Sequence, residues 1–457
     1  MSSPSAPSWW QERAAERSPA PERPRLEGHR EADVVIVGAG FTGLWSAIRL
    51  AELDPSLRIV VLEQETVGFG ASGRNGGFAM TMVTRSIHDL VRKVGAEGAR
   101  AIHAAMVETL ADIEGFCATE GIDADLTRPG LLTVSNGPEQ DVRIRMDLEA
   151  SSRLGLDDLT ALSAVECRAL VAAEGVRLGH LEPNALLVNP AALALGLARA
   201  AERRGVVICE QTAMERADPT GSGVTVRTAG GEVRAGRVLL ATNAYAHAIP
   251  RLRRFIFTIC ACIVCTEPLT AAQWDRIGWE RRMGIEDRRV MPHFHRPTPD
   301  GRILWGGRDA PVSAIGPDPR RDHDPRIFAR LEETFRQTFP QLDDVRITEG
   351  WGGPVGATVH CLPSVGWLHH GRIAYALGYS GHGVGPSALL GRIAADLLLE
   401  RHTERLRLPF TTRRPMTLPP EPLRAPLLDT AQRILQAADD RGGARGPAGR
   451  ALVRLLQ

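Results

Sequence analysis

Lysine is almost missing from this chain: its basic side chains number 55, and Lys93 is the only lysine among them. Chemistry that needs a lysine therefore has one candidate, and cationic work elsewhere falls to arginine. A charge imbalance is missing as well, because 54 acidic residues offset those 55 basic ones. Nothing electrostatic argues for nucleic acid or an anionic membrane as a partner. The cysteines are seven, odd in number and unevenly spaced, so they make no disulfide framework and point to a reducing cytoplasm. The N-terminus lacks the apolar core of a signal peptide. The longest apolar run, residues 255–265, is about half of the roughly 20 residues that a membrane helix needs. These absences lead us to expect a soluble, cytoplasmic protein with no membrane span, and 457 residues suffice for roughly two or three domains.

What is present begins at Ala32. Residues 34–37 form a β-branched run that reads as a strand buried on both faces of a parallel sheet. Gly38, Gly40 and Gly43 then make a G-x-G-x-x-G turn enclosing Phe41 and Thr42, and a helical pattern continues through Leu44, Ile48 and Leu50. Gly38 allows the tight turn, Gly40 lets the backbone approach a pyrophosphate, and Gly43 lets helix and strand pack closely. The free N–H groups of the helix start face the anion. A second apolar run, residues 59–62, ends at Glu63, placed to accept hydrogen bonds from ribose hydroxyls. Strand, turn, helix, strand and acid fall in register as a dinucleotide site whose carboxylate repels a 2'-phosphate. The motif does not separate FAD from NAD.

Residues 1–30, rich in Ser, Pro, Arg and Glu, read as an extended arm pinned by Trp9 and Trp10. Five glycines crowd residues 68–77, so this stretch is either a flexible surface loop or a place where backbone approaches something flat or anionic. Periodicity predicts helices over 86–120, 138–155, 189–204, 324–339 and 387–400. It predicts strands at 130–135, 206–209, 224–227, 232–235, 237–241, 256–266, 290–296, 302–307, 345–349 and 372–377. The last strand runs into Gly378-Tyr379-Ser380-Gly381-His382-Gly383-Val384, a second glycine turn at a helix start. We expect an α/β (α+β) fold. In it, a discontinuous nucleotide domain (31–90, 189–246 and 351–401) is interrupted by an antiparallel-sheet substrate domain (91–188 and 247–350). A tail over 402–457 caps the body or a partner subunit, which leaves a homo-oligomer open.

His293 and His295 have strand spacing and would share a face pointing into the substrate cavity; third and fourth ligands are missing, so no metal is assigned. Cys260, Cys262 and Cys265 lie in a continuous apolar run and read as a buried strand. Arg308 follows twin glycines and is a candidate for gripping a carboxylate or phosphonate, or else a surface salt bridge. Trp351 is either a pocket wall or core.

The three motifs VVIVGAGFTGL with Glu63, GFGASGRNGG, and GYSGHGV before the last long helix stand in a telling order. From about Asp33 to Leu399 the sequence resembles the D-amino-acid-oxidase-like superfamily of FAD-dependent oxidoreductases. GFGASGRNGG and RPTPDGRILWGG are most similar to its gamma-glutamylputrescine oxidase-like branch, beside the sarcosine and glycine oxidases. The resemblance implies a glutathione-reductase-type, Rossmann-like FAD-binding domain with an inserted substrate domain. It places the ADP half of FAD on Gly38, Gly40, Phe41, Thr42, Gly43 and Glu63. Gly70, Ala71, Ser72, Gly73, Arg74, Asn75, Gly76 and Gly77 would line the pyrophosphate and flavin ring. Ala213 and Met214 would meet the adenine, and Thr242, Asn243 and Gly378 would complete the site. Gly381, His382, Gly383 and Val384 would bring N–H groups and a helix dipole to the flavin N1–C2=O edge.

Some relatives tether FAD through a histidine in the first glycine loop or a cysteine near the start of the final segment. Here those stretches read Ser72-Gly73-Arg74-Asn75 and Trp351-Gly352-Gly353, which implies noncovalent FAD. The active-site lysine of oxidase members is missing from residues 303–307, so the electron acceptor is O2 or another acceptor. Arg74, Arg308 or a protonated His382 could replace that cation. The implied activity is oxidation of a C–N bond in a small amine, amino acid or aminophosphonate by hydride transfer to flavin N5, with imine hydrolysis to a carbonyl product. The catalytic candidates are His382, Arg308, His293, His295 and Tyr379, although His382 is equally read as a turn histidine bonded to backbone. A 2-hydroxy-acid or glycerol-phosphate-type alcohol dehydrogenase is the alternative, with His293, His295 or His382 as its base. An NAD(P)H-using flavin monooxygenase ranks below both, because no second full G-x-G-x-x-G is present.

Overall fold

The computed structural model describes residues 6–19, 21–369, 371–440 and 449. The apolar run at 34–37 becomes the centre of a sheet covered on both faces. Five strands run parallel in the order Val207–Cys209, Ile59–Leu62, Gly28–Val37, Gly231–Leu240 and Ile373–Leu377, with Ser364–His369 antiparallel at the edge. Helices Phe41–Leu53, Pro190–Arg203 and Val384–Leu398 bury one face, joined by Ile102, Met106, Leu110 and Ile113 of the long helix Ile87–Glu120. The other face packs on Val224, Val226, Leu252 and Phe255.

A second sheet of nine strands is centred on Phe257–Thr266, which pairs with both Ile303–Gly307 and Ile347–Ala357. Helix Pro325–Thr338 covers its back with Ile327, Leu331 and Phe335, one apolar stripe at helical spacing. Among the described residues no helix is long and apolar enough to cross a membrane. All seven cysteines are free and buried.

Five expectations need correction. The N-terminal arm is not extended: Trp9–Arg17 is a helix, because Ser8 and Gln11 form a reciprocal capping box and both tryptophans bury beside Trp351. The strands expected at 232–235 and 237–241 are one strand, Gly231–Leu240, held straight by parallel pairing with Gly28–Val37 along its whole length. Residues 91–120 belong with the first sheet, since their apolar stripe enters its core. Residues 351–357 belong with the second sheet, where they pair one by one with 257–263. That sheet is mixed, because Gly284–Asp287 runs parallel to Leu131–Ser135. Of the tail, Arg424–Asp440 is a helix; the remainder of the 402–457 reading beyond 440, apart from 449, lies outside the described residues, as do residues 1–5 of the arm.

Candidate active site

A cavity of about 950 Å3 opens at the carboxyl ends of the parallel strands and is roofed by the second sheet. Its first wall is the glycine turn. Gly38 has φ +105°, and a Cβ there would stand 2.8 Å from the Ala241 carbonyl oxygen. A Cβ on Gly43 would run into the Gly38 carbonyl, so helix and strand pack at glycine distance. Helix Phe41–Leu53 starts at Gly40 with no side-chain cap, and the Phe41 N–H donates to Ser72 Oγ at 2.9 Å. The Glu63 carboxylate accepts from the Ala39 N–H at 2.7 Å and from the Glu65 N–H at 3.1 Å. Burial pushes its pKa up to about 7. Each oxygen keeps a lone pair for a further donor.

The opposite wall is the second glycine turn. Helix Val384–Leu398 starts at Gly383, again with no side-chain cap, so two helix N-termini open into one cavity. The two turns are joined by a hydrogen bond of 2.6 Å between the Thr42 and Tyr379 hydroxyls. His382 lies on this wall, with its backbone N–H donating to the Tyr379 carbonyl at 3.0 Å. Its Nδ1 is buried without a partner. Burial, reinforced by Arg85 and Arg288, pushes the imidazole down to about 4, so it is neutral at neutral pH.

Of the residues singled out by sequence, Gly38, Gly40, Phe41, Thr42, Glu63, Gly70, Ala71, Ser72, Asn75 and Gly76 line the cavity. So do Met214, Thr242, Asn243, Arg308, Tyr379, Gly381, His382, Gly383 and Val384. Gly43, Gly73, Gly77 and Gly378 stand behind the wall, where a Cβ would strike backbone or Thr358. Ala213 is exposed, and its neighbours Thr212 and Met214 face inward instead.

Arg74 is turned away: its guanidinium donates to the Phe69 carbonyl at 2.7 Å and to the Gly352 carbonyl at 3.2 Å, a strut rather than a ring contact. Ser8 Oγ donates to the Gly73 carbonyl at 2.6 Å and Gln11 to the Gly68 carbonyl at 3.2 Å, so the N-terminal helix buttresses the same loop. Trp351 is core, packed with Trp9 and Trp10. Arg308 reaches the cavity with its guanidinium held by Asp309 and Asp440.

His293 and His295 do not point into the cavity. They stack on Trp305 with ring centroids 5.1 and 4.4 Å away, and His295 also meets Trp279 and Phe339. Burial pushes both imidazoles down, His295 to about 3. Strand alternation gives the cavity face to Phe294 between them. Among the described residues no group of three or more His, Cys, Asp or Glu side chains is arranged to hold a metal ion.

Sequence reasoning missed Glu286. It sits on Gly284–Asp287 directly opposite Phe294, is 8% exposed, and lines the cavity. Among the described residues its carboxyl has one hydrogen-bond partner, Thr133 Oγ1, at a long 3.5 Å. Burial pushes the carboxyl up to about 7; nearby Arg288 opposes this, but is itself committed to Asp147 at 2.7 Å. The acidic and basic run at 286–289 carries no motif in sequence, and only strand register turns its first member inward.

A family model described as FAD dependent oxidoreductase (DAO) matches residues 33–397. Gamma-glutamylputrescine oxidoreductase of Escherichia coli is 34% identical over 368 residues, which cover 80% of this chain and 83% of that protein. L-Proline dehydrogenase from P. horikoshii has a similar structure, with a TM-score of 0.70 at 19% identity over 84% of this chain and 96% of that one. Glycine oxidase from Bacillus cereus gives 0.67 at 18% identity, over 84% and 99%. At these identities the two structures show likeness of fold.

Proposed function

Since the chain belongs to the DAO family of FAD-dependent oxidoreductases, we propose that it oxidises a C–N bond of a small amine, amino acid or aminophosphonate to an imine, which water hydrolyses to a carbonyl compound and a free amine or ammonia. The residues present fit the cofactor. Gly38 and Gly40 line the cavity where a Cβ would strike the Ala241 carbonyl or Ser72 Oγ, two helix starts with glycine N-caps face the same space, and Glu63 keeps lone pairs for a ribose. We assign the ADP half to Gly38, Gly40 and Glu63, and the isoalloxazine ring to the space between Ser72–Gly76 and Gly381–Val384. FAD, when bound, supplies the two-electron acceptor. No cysteine lines the cavity among the described residues, which supports noncovalent binding.

The chain's own part is to hold the substrate and its proton. An amine enters as an ammonium ion and reacts as the neutral base. The Glu286 carboxylate takes that proton at a carboxyl oxygen, and Phe78, Met80 and Phe294 keep water from the reacting carbon. The observation that carries the reading is the convergence of the dinucleotide residues and this buried, weakly bonded carboxyl on one cavity. The names of the relatives, a glutamylputrescine oxidoreductase, a proline dehydrogenase and a glycine oxidase, support a nitrogenous substrate. One observation favours a second reading: His382, neutral and with Nδ1 unbonded, could take a hydroxyl proton, as oxidation of a 2-hydroxy acid requires.

Anaerobic mixing of the FAD-loaded protein with amines, amino acids, aminophosphonates and hydroxy acids tests this. Bleaching of the flavin band by a nitrogenous compound and by no hydroxy acid is expected; bleaching by hydroxy acids alone overturns the amine reading. Admission of air then separates O2 from another acceptor, a choice left open because Lys93 does not line the cavity.

A further inference from the structure

A second cavity, of about 500 Å3, lies apart from the active site. Three stretches distant in sequence build it: the first turns of helix Ile87–Glu120, the loop that follows strand Ile347–Ala357, and the tail around Pro409–Thr412. Arg92, Lys93, His360, Arg413 and Arg414 line it, and among the described residues no acidic side chain does. In a chain with a net charge of +1, three arginines and the chain's one lysine around one hollow are a strong local excess.

Neighbouring arginines of the tail find acids: Arg401 and Arg405 pair with Asp396, and Arg407 with Glu404. Arg92, Arg413 and Arg414 make no such pair among the described residues. Arg413 instead donates to the Lys93 carbonyl, which draws the tail onto the helix and holds the cations together. Burial, reinforced by Lys93 and Arg413, keeps the His360 imidazole below its ordinary pKa, so these groups share one space. Arg92, Arg413 and Arg414 gathered at one hollow repel one another, and an anion entering it relieves that repulsion.

We propose that this hollow is a binding site for a small multivalent anion carrying phosphate or carboxylate groups. Its volume falls within the range of roughly 300 to 1,000 Å3 usual for small-molecule sites, and Leu362, Pro363 and Met416 give it an apolar wall. Arginine forks suit both anion classes. The hollow also borders the second glycine turn. The Thr358 N–H donates to Ser380 Oγ at 3.4 Å, Ala357 bridges to Tyr379, and Gly378 has no room for a Cβ beside Thr358. Residues 358–364 thus connect the hollow to the turn that carries His382. This inference does not depend on which substrate the active site oxidises.

The test is calorimetric titration of the FAD-loaded protein with inorganic pyrophosphate and, separately, with citrate, at constant ionic strength and against chloride. At least one of them is expected to bind at one site per chain with Kd below about 1 mM. Binding by pyrophosphate alone assigns phosphate, and by citrate alone carboxylate. In Arg92→Ala/Arg414→Ala, which removes two exposed side chains, affinity is expected to fall about tenfold or more. Arg414→Gln, which keeps much of the side chain, is expected to weaken it about threefold. Absence of binding by both anions overturns the proposal, as does equal affinity in wild type and both variants.

Discussion

Replacing Glu286 with glutamine keeps the side chain's shape and removes its titration. In the folded protein its carboxyl is raised from 4.5 to about 7 by burial, so roughly a tenth is ionised at pH 6 and nine tenths at pH 8. If this carboxylate takes the proton of the incoming ammonium, flavin reduction at limiting substrate rises about tenfold per pH unit below 7 and levels above it. The variant is expected to lose that inflection and to be about 100-fold or more slower at pH 8.

Stability moves the other way. Because the folded pKa is the raised one, the folded state holds a proton that the unfolded chain has released between about pH 4.5 and 7. Wild-type stability therefore falls across that window, by up to about 3 kcal/mol from this group. Glutamine does not titrate, so the variant is expected to melt above the wild type at pH 8 and to converge with it towards pH 5. Stopped-flow reduction and thermal melts across pH check both. An inflection that survives in the variant, or a variant less stable than wild type at pH 8, refutes the reasoning. Glu63 titrates in the same range, but its loss shows as released flavin.

Glu63→Ala is expected to weaken FAD binding about 10- to 100-fold, read as flavin fluorescence in the filtrate after ultrafiltration; full retention would free Glu63 of that role. Tyr379→Phe breaks the 2.6 Å bond to Thr42 and is expected to cost about 1 to 3 kcal/mol in denaturant unfolding, whereas an unchanged midpoint would mean the two turns are not joined there. Gly43→Ala drives a methyl group into the Gly38 carbonyl and is expected to cost more than about 4 kcal/mol, so a purified variant with normal flavin content would contradict the packing. His295→Phe, within the Trp305 stack, is expected to leave kcat/KM within about twofold with an unchanged pH profile; a large change would return that histidine to the chemistry.

The glycine turns were legible in sequence because backbone geometry admits few residues there. Gly38 at φ +105° and the closed space at Gly43 leave no alternative side chain. The parallel sheet was legible for a similar reason, since only burial on both faces selects four consecutive β-branched or aliphatic residues. Where composition was the only guide, the reading failed. The polar N-terminal segment hid the capping box between Ser8 and Gln11 and the burial of Trp9 and Trp10. Gly236 looked like a strand break, yet it lies within a strand paired on both sides, where the ladder outweighs local preference. The boundary at 351 failed because one strand of eleven residues, Ile347–Ala357, carries the chain along the second sheet before it returns to the first.

The misreading of His293 and His295 and the omission of Glu286 have one physical origin. Alternation along a strand divides residues 293–297 into two faces without saying which face meets the cavity. Composition favoured the polar pair, but Trp305, Phe335 and Phe339 behind the sheet form an aromatic wall that accepts neutral imidazoles. Phe294 is thereby turned inward, and the pairing Glu286 to Phe294, with Thr133 next across the sheet, turns the acid inward with it. One register thus decides which chemistry the cavity receives. Had it slipped by a residue, two imidazoles would face the cofactor and the carboxyl would lie in an aromatic core, where it could not be held ionised. As paired, the cavity keeps a carboxyl whose pKa is raised to about 7 and the core keeps rings that stay neutral, so the register that satisfies the packing of the second sheet also gives the site the carboxyl proposed as its base.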